Sequence, residues 1–581
     1  MHLTEVDEAV RRNIDKDIEY HLQAVIDLRR HRNSFTHINC LPFELLSEIF
    51  SFCQEGLWDH VIWQQKPKNR RIALPLRWIY LSAVCHYWRQ VAVQTSRLWA
   101  RINLDYPTFA KNLSMVLANQ SPLHLTATKW SSQQIALLNE IYSSIDHVHS
   151  IDWTFNDMSS QLKLGTIPAI STPLRSIRIT RGGGMPLTSI ASIFAECIFP
   201  SIQRLELVNC IYTLPASLLG STLKHLILRT DLAYPISFAT LIDSLSRMSQ
   251  LEALHLEGVA FDQIDSEHAS NVATQELSLP NLRQLVVHPP RNTYQDYFPF
   301  LGMLELPADV QLNLKFTDTM PDKDLRTLLC ITLKLFRPLV SRTLALCNTD
   351  CTFVIGLWND VAGPEILDKK HPVPHCGLWL PPFHQDHCIV WEEFIHVLDL
   401  RRVESIHFGG LITNYNAQTQ WKRLLRTSDA LKSLSLKGEV ARTVVRLLFS
   451  KDVTVVRVKG DTTIPKPPAP NLKTIRLLDL AWHTLGEAQR SKEGTFMEDL
   501  LNMLSQRAEA DVPLEKLIIE RCRNLNKDTI GTLDEKVLVD WDGHIVFEEV
   551  RRKQYSYRVY DYHDSVSYGS DEDYADRDDY W

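Results

Sequence analysis

"IQRLELVNC", residues Ile202–Cys210, decides how the chain is built. Leu205 and Leu207 alternate around Glu206, as in a short strand with one buried face, and Ile202 stands three residues ahead. The pattern L-x-x-L-x-L, with Ile, Val or an aromatic allowed, recurs. It is clear at Leu174-Ile177-Ile179, Leu223-Leu226-Leu228, Leu251-Leu254-Leu256 and Leu282-Leu285-Val287. It resumes at Val403-Ile406-Phe408, Leu431-Leu434-Leu436, Val453-Val456-Val458, Leu472-Ile475-Leu477 and Leu514-Leu517-Ile519. Looser copies are Trp99-Ile102-Leu104 and Val148-Ile151-Trp153. From Leu174 to Leu282 the starts are 28, 21, 28 and 31 residues apart. "FATLIDSLSRMSQ" (Phe238–Gln250) reads as a helix between two of the strands.

One strand and one helix of this size cannot bury their apolar faces alone. Stacked neighbours can, so the repeat predicts an α/β solenoid over residues 105–545. The spacing suits leucine-rich repeats. Cys210 and Cys522 stand where that consensus takes Asn or Cys. An ordinary α/β domain with coincidental alternation is the competing reading. Residues 317–402 break the rhythm and read as an insertion, within which the Pro-rich "HPVPHCGLWLPPFHQDHC" (His371–Cys388) looks like an inserted loop. "PKPPAP" (Pro465–Pro470) marks a second connection.

Ahead of the repeats, "LPFELLSEIF" (Leu41–Phe50) raises a different question. Pro42 suits a helix start. Leu45, Leu46, Ile49, Phe50, Phe52 and Cys53 then cover roughly half the cylinder, with Phe43 extending it, whereas a surface helix needs a stripe of about 100°. The excess predicts two apolar contacts, one inside the module and one with something else. A polar stretch, Gln54–Arg77, follows and contains "KPKNRR" (Lys66–Arg71), a solvated loop or a nuclear localisation signal. Helical spacing returns with Leu81, Val84, Cys85, Trp88, Val91 and Ala92. Residues 1–35 hold another helix, at 4–31, with Val6, Val10, Ile14, Ile18, Leu22, Val25 and Ile26 in steps of three and four. Packing on the body is the first account of that stripe. A short coiled-coil partner helix is the second.

The 581 residues are 45% hydrophobic and 23% charged, a globular composition, and length alone implies about four domains. No signal peptide and no apolar run near the ~18 residues of a membrane span is visible. Eleven scattered cysteines fit free thiols in a reducing compartment, cytoplasmic or nuclear. The formal charge is −7. Residues 561–581 hold eight acids and one base, so this tail carries the whole imbalance. Residues 546–581 are expected to be an acidic, disordered tail. The formally neutral remainder argues against nucleic-acid binding.

Taken together, "LPFELLSEIF" and "LSAVCHYWRQVAVQTSRLW" resemble the F-box. Leu41, Pro42, Glu44, Leu45, Leu46, Ile49 and Phe50 match its first half, and Val84, Cys85, Trp88, Arg89, Leu98 and Trp99 its second. The resemblance covers residues 36–104. With the repeats behind it, the chain looks like the F-box/leucine-rich-repeat proteins, especially the divergent fungal sets. The 24 residues of Gln54–Arg77 exceed a compact F-box connection, although doubling a loop costs only ~0.6 kcal/mol.

The resemblance implies a non-catalytic ubiquitin-ligase subunit without cofactors. Its box would bind the Skp adaptor, and through it a cullin and a RING subunit, while the repeats hold a protein substrate. It assigns adaptor binding to Leu41, Pro42, Glu44, Leu45, Leu46, Ile49, Phe50, Val84, Cys85 and Trp88. A leucine-rich-repeat scaffold without ligase activity is the alternative. For the substrate, the outward positions beside the apolar columns are the place to look. In the last repeats they include Lys437, Arg457, Lys459, Arg476 and Lys516, opposed only by Glu520. That column predicts a preference for acidic or phosphorylated partners; a solvated face whose charges pair with nearby acids is the plainer account. Cys347, Cys351, His371, His375, Cys376, His384, His387 and Cys388 are zinc-ligand types without the spacing of common zinc modules, so no metal is expected. "RGGGMP" (Arg181–Pro186) lacks the Lys-Ser/Thr of a phosphate loop, and there is no nucleophile elbow or H-E-x-x-H.

Overall fold

Leu205 and Leu207 are fully buried on the strand Arg204–Val208. Leu205 pairs in register with Ile177 on one side and Leu226 on the other; Leu207 pairs with Ile179 and Leu228. The two columns they begin run through a mixed α/β architecture dominated by one 17-stranded, mostly parallel sheet. The computed structural model describes residues 5–63, 74–105, 107–127, 147–155, 174–181, 199–210, 218–231, 235–262, 276–336, 341–348, 352–361, 374–381, 400–410, 415–449, 467–482 and 495–543. The expected tail at 546–581 and the expected strand at Val453–Val458 lie outside these residues. In the described sheet, Ser433–Lys437 pairs directly with Thr474–Leu478, so the ladder passes from one to the other without that strand.

One column runs from Ile102 through Leu125, Ile151, Leu254, Leu285 and Leu312 to Val539, the register shifting once beside it, between Leu123 and His124. Among the described residues, helices that join parallel neighbours bury an apolar stripe against the sheet. The helix Phe238–Arg247, capped by Ser237, does so with Leu241, Ile242 and Leu245. The core is therefore one elongated layer between strands and helices.

Within the insertion at 317–402, the Pro-rich stretch expected as a loop contains the strand Cys376–Leu380. After the strand Gln311–Lys315 the chain crosses by the helix Asp322–Phe336 and enters the sheet beyond its next free place, at Thr343–Asn348. It then doubles back through Phe353–Trp358, antiparallel to both neighbours. Cys376–Leu380 closes the gap by pairing parallel with Gln311–Lys315. The next strand, Ser405–Gly409, pairs on the far side of Thr343–Asn348. This meander keeps the columns intact, because Cys376, Leu357 and Leu344 carry one of them from Leu312 to Ile406. On the opposite face Gly356 and Gly377 are cross-strand partners, each lying beneath the indole two residues on, Trp358 or Trp379.

The two consensus cysteines have matching roles. Cys210 donates to the Ile179 carbonyl and Cys522 to the Leu477 carbonyl, both at 3.7 Å. Each thiol thus satisfies a backbone acceptor on the preceding strand. Burial pushes the thiols up to about 12 for Cys210, about 12 for Cys376 and about 11 for Cys522. Since thiolate is the reactive form, a maleimide at pH 8 is expected to label exposed Cys40 and Cys330 in the native protein. Cys210, Cys376 and Cys522 should react only after denaturation. Peptide mapping that found Cys210 or Cys522 labelled in native protein would contradict these placements.

Candidate functional site

Four helices build the N-terminal module and its approach: α1 (Glu5–Ser34), α2 (Phe43–Trp63), α3 (His86–Gln94) and α4 (Ser96–Trp99). The carbonyl of Pro42 accepts the Leu46 N–H, so α2 begins one residue after the proline. Leu46 and Phe50 are 0% exposed and face inward. Phe50 packs on Trp88 with ring centres 5.2 Å apart. Gln54 turns the same way, and its buried amide donates to the Leu98 carbonyl at 2.8 Å. Trp99 lies edge-on to Trp78 and donates to the Ala92 carbonyl at 2.7 Å.

α3 is clamped against the start of α2. Cys85 caps it by accepting the Trp88 N–H. The Trp88 indole N–H donates to Asn39 Oδ1 at 2.7 Å, and the Tyr87 hydroxyl donates to the Leu41 carbonyl at 2.9 Å. The two halves of the motif, with the 24 residues of Gln54–Arg77 between them, therefore form one packed unit.

Among the described residues, nothing covers the other apolar face of α2. Leu45, Ile49 and Phe52, spaced by four and three residues, are exposed, Phe52 by 70%. Tyr80, on the 3-10 segment Leu74–Ala83 that follows α2, and Val84, just beyond it, are also exposed. Pro42 and Glu44 are exposed; Leu41, Cys85 and Trp88 are half-buried. Leu46 and Phe50, assigned to adaptor contact by the resemblance, belong instead to the module's own core. At 100° per residue they lie about 110° around the helix from Leu45, Ile49 and Phe52. Glu48 is held by Arg97 at 2.7 Å, beside the open stripe. A groove lined by Phe52, Arg97, Ser121, Pro122 and His124 continues the stripe towards the sheet. Beyond it the helix α5 (Thr108–Ala118) is amphipathic in reverse. It buries Ala110, Ser114 and Ala118 and exposes Phe109, Leu113 and Val116. The reversed spacing on α5 was legible in the sequence, but a short stripe reads as core until tertiary contacts say otherwise.

The basic column is arranged differently from its expectation. Lys437 pairs with Asp479 at 3.3 Å, Arg476 with Glu520 at 3.7 Å and Lys516 with Asp540 at 2.7 Å. The hydrogen bond from Lys516 holds Asp540 below the usual carboxylate range. Acids from neighbouring strands thus offset the described bases, and Glu520 does not oppose them alone. Arg457 and Lys459 lie outside the described residues. A denser network occupies the same face among earlier strands. There the carboxylate of Glu206 is approached by Arg204 at 3.1 Å, Arg178 at 3.5 Å and Arg229 at 4.0 Å.

Of the His/Cys group, Cys347 and Cys376 are strand residues, the former pushed up to about 11 by burial. The ring of His375 accepts the Asn359 N–H. Cys351, His371, His384, His387 and Cys388 lie outside the described residues. Among the described residues, no three His, Cys, Asp or Glu side chains are placed to hold a metal. No described helix is long and apolar enough to cross a membrane. No protein-family model and no curated protein matches the chain.

Proposed function

We propose that the protein is the substrate-recognition subunit of a Skp–cullin–F-box ubiquitin ligase. In this reading residues 36–104 are an F-box-like module and the long sheet is a leucine-rich-repeat solenoid. The observation that carries it is the division of α2 into two apolar faces. Leu46 and Phe50 satisfy the module, and Leu45, Ile49 and Phe52 remain for a partner helix. Exposed aliphatic and aromatic side chains at helical spacing, on a helix braced from behind, suit helix-in-groove recognition. The partner is the Skp adaptor, which brings the cullin and RING subunits with it. The chain itself performs no chemistry and needs no cofactor. It raises the effective concentration of a substrate lysine near a charged ubiquitin-conjugating enzyme. Substrate binds the outward sheet face, where paired rather than free charges select by pattern.

Titration of the purified chain with a recombinant fungal Skp adaptor tests this. The wild type is expected to form a one-to-one complex. The Ile49→Asp/Phe52→Asp variant is expected to bind at least about 30-fold more weakly, because losing a buried apolar anchor costs about 2 kcal/mol or more. Both positions are exposed, so circular dichroism and melting should be unchanged. A wild type that does not bind, or a folded variant that binds equally well, overturns the reading.

A further inference from the structure

α1, like α2 and α5, carries apolar side chains that the described body does not cover, and on α1 they form a stripe along most of the helix. Val10, Ile14, Ile18, Leu22, Val25 and Ile26 are each more than 40% exposed. The helix has 30 residues, roughly 45 Å in length. Its C-terminal end is stitched to the box module by Asn39, whose side-chain amide donates to the Asn33 carbonyl at 2.7 Å. A helix fixed at one end, with an open stripe along its side, presents that stripe to a partner. Packing on the body, the first account of it, does not occur among the described residues.

We propose that α1 pairs antiparallel with α1 of a second copy of this chain. Charge distribution selects this occupant and this direction. Residues 5–19 carry six acids (Glu5, Asp7, Glu8, Asp15, Asp17, Glu19) against three bases (Arg11, Arg12, Lys16). Residues 20–34 carry one acid, Asp27, against Arg29, Arg30 and Arg32. Two antiparallel copies set the acidic half of each against the basic half of the other. Two parallel copies would set like charge against like, which is unfavourable along helix flanks. The stripe fits the same symmetry. Ile14, Ile18, Leu22 and Ile26 are spaced by four and centred on Tyr20, so a two-fold axis at that point lays the stripe on itself. Such a pair would hold two box modules in one particle. This inference does not depend on what the boxes bind.

Sedimentation of the full chain at micromolar concentration tests it. The wild type is expected to sediment as a dimer of the 66.9 kDa chain. The variant Ile14→Asp/Ile18→Asp/Leu22→Asp should self-associate on the order of 100-fold more weakly or not at all, with an unchanged melting temperature. Salt should weaken the wild-type dimer. A photocrosslinking amino acid at Glu8 should capture residues 29–34 of the other copy, distinguished by isotope labelling. A monomeric wild type, a dimer indifferent to the triple variant, or capture of residues 5–11 each overturns the proposal.

Discussion

Replacing Arg507 by leucine is expected to cost about 3 kcal/mol of stability. Arg507 lies on the helix Phe496–Glu509, which opens with a capping box between Thr495 and Glu498. Its side chain is 1% exposed. It donates to the carbonyls of Pro468 and Ala469, both at 3.0 Å, and of Leu472 at 3.3 Å. Burial lowers its pKa to about 10, so it is still charged at neutral pH. The turn it clamps is the "PKPPAP" connection, where Ala469 adopts a left-handed φ of 48°. Leucine fills part of the volume but leaves the carbonyls without that donor, at ~1–3 kcal/mol for each buried unsatisfied group. Relief from burying a charge offsets some of this. Urea denaturation compared with the wild type measures the difference. A loss below about 1 kcal/mol would mean that the guanidinium does not hold the turn.

Gly258→Ala is expected to cost at least about 3 kcal/mol. Gly258 follows the strand Ala253–Glu257 at φ 69°, where an L side chain is strained by ~1–2 kcal/mol. A β-carbon there would also fall on the carbonyl of Thr230. Neither neighbour can retreat easily, since Thr230 N–H donates to the Glu257 carbonyl at 2.8 Å and Gly258 N–H to His288 at 2.6 Å. Gly438 supplies the comparison. It ends the corresponding strand at φ 74° with no atom within 4 Å of an added β-carbon. Gly438→Ala should therefore cost only the conformational term, ~1–2 kcal/mol. Equal losses in the two variants, read from thermal melts, would show that overlap with Thr230 is not what constrains Gly258.

These two sites divide differently between sequence and structure. The glycine stands two places beyond the last residue of an apolar triplet, where Asn209, Gly410, Gly438, Asp479 and Arg521 also take positive φ after their strands. A periodic pattern marks that place, because strand and turn are local. Arg507 carries no such mark: in sequence it is one more polar residue on an amphipathic helix. Its role arises from a turn 35 to 39 residues earlier in the chain.

The sequence by itself determined the alternation that makes each strand, the two buried columns and the surplus of apolar surface on α2. All of these follow from the 2.0 and 3.6 residue periods of a single segment. Tertiary structure alone decided which segment pairs with which. It set the strands Thr343–Asn348, Phe353–Trp358 and Cys376–Leu380 in an order that runs back along the sheet, because strand order depends on partners and not on periodicity. It divided α2 so that Leu46 and Phe50 serve the core and Leu45, Ile49 and Phe52 face outward. It placed Asp479 and Asp540 within reach of Lys437 and Lys516, offsetting a charge that looked free along the chain. Among the described residues it left the stripe of α1 uncovered. A period tells which side of an element is apolar; only the packed neighbours determine what that side meets.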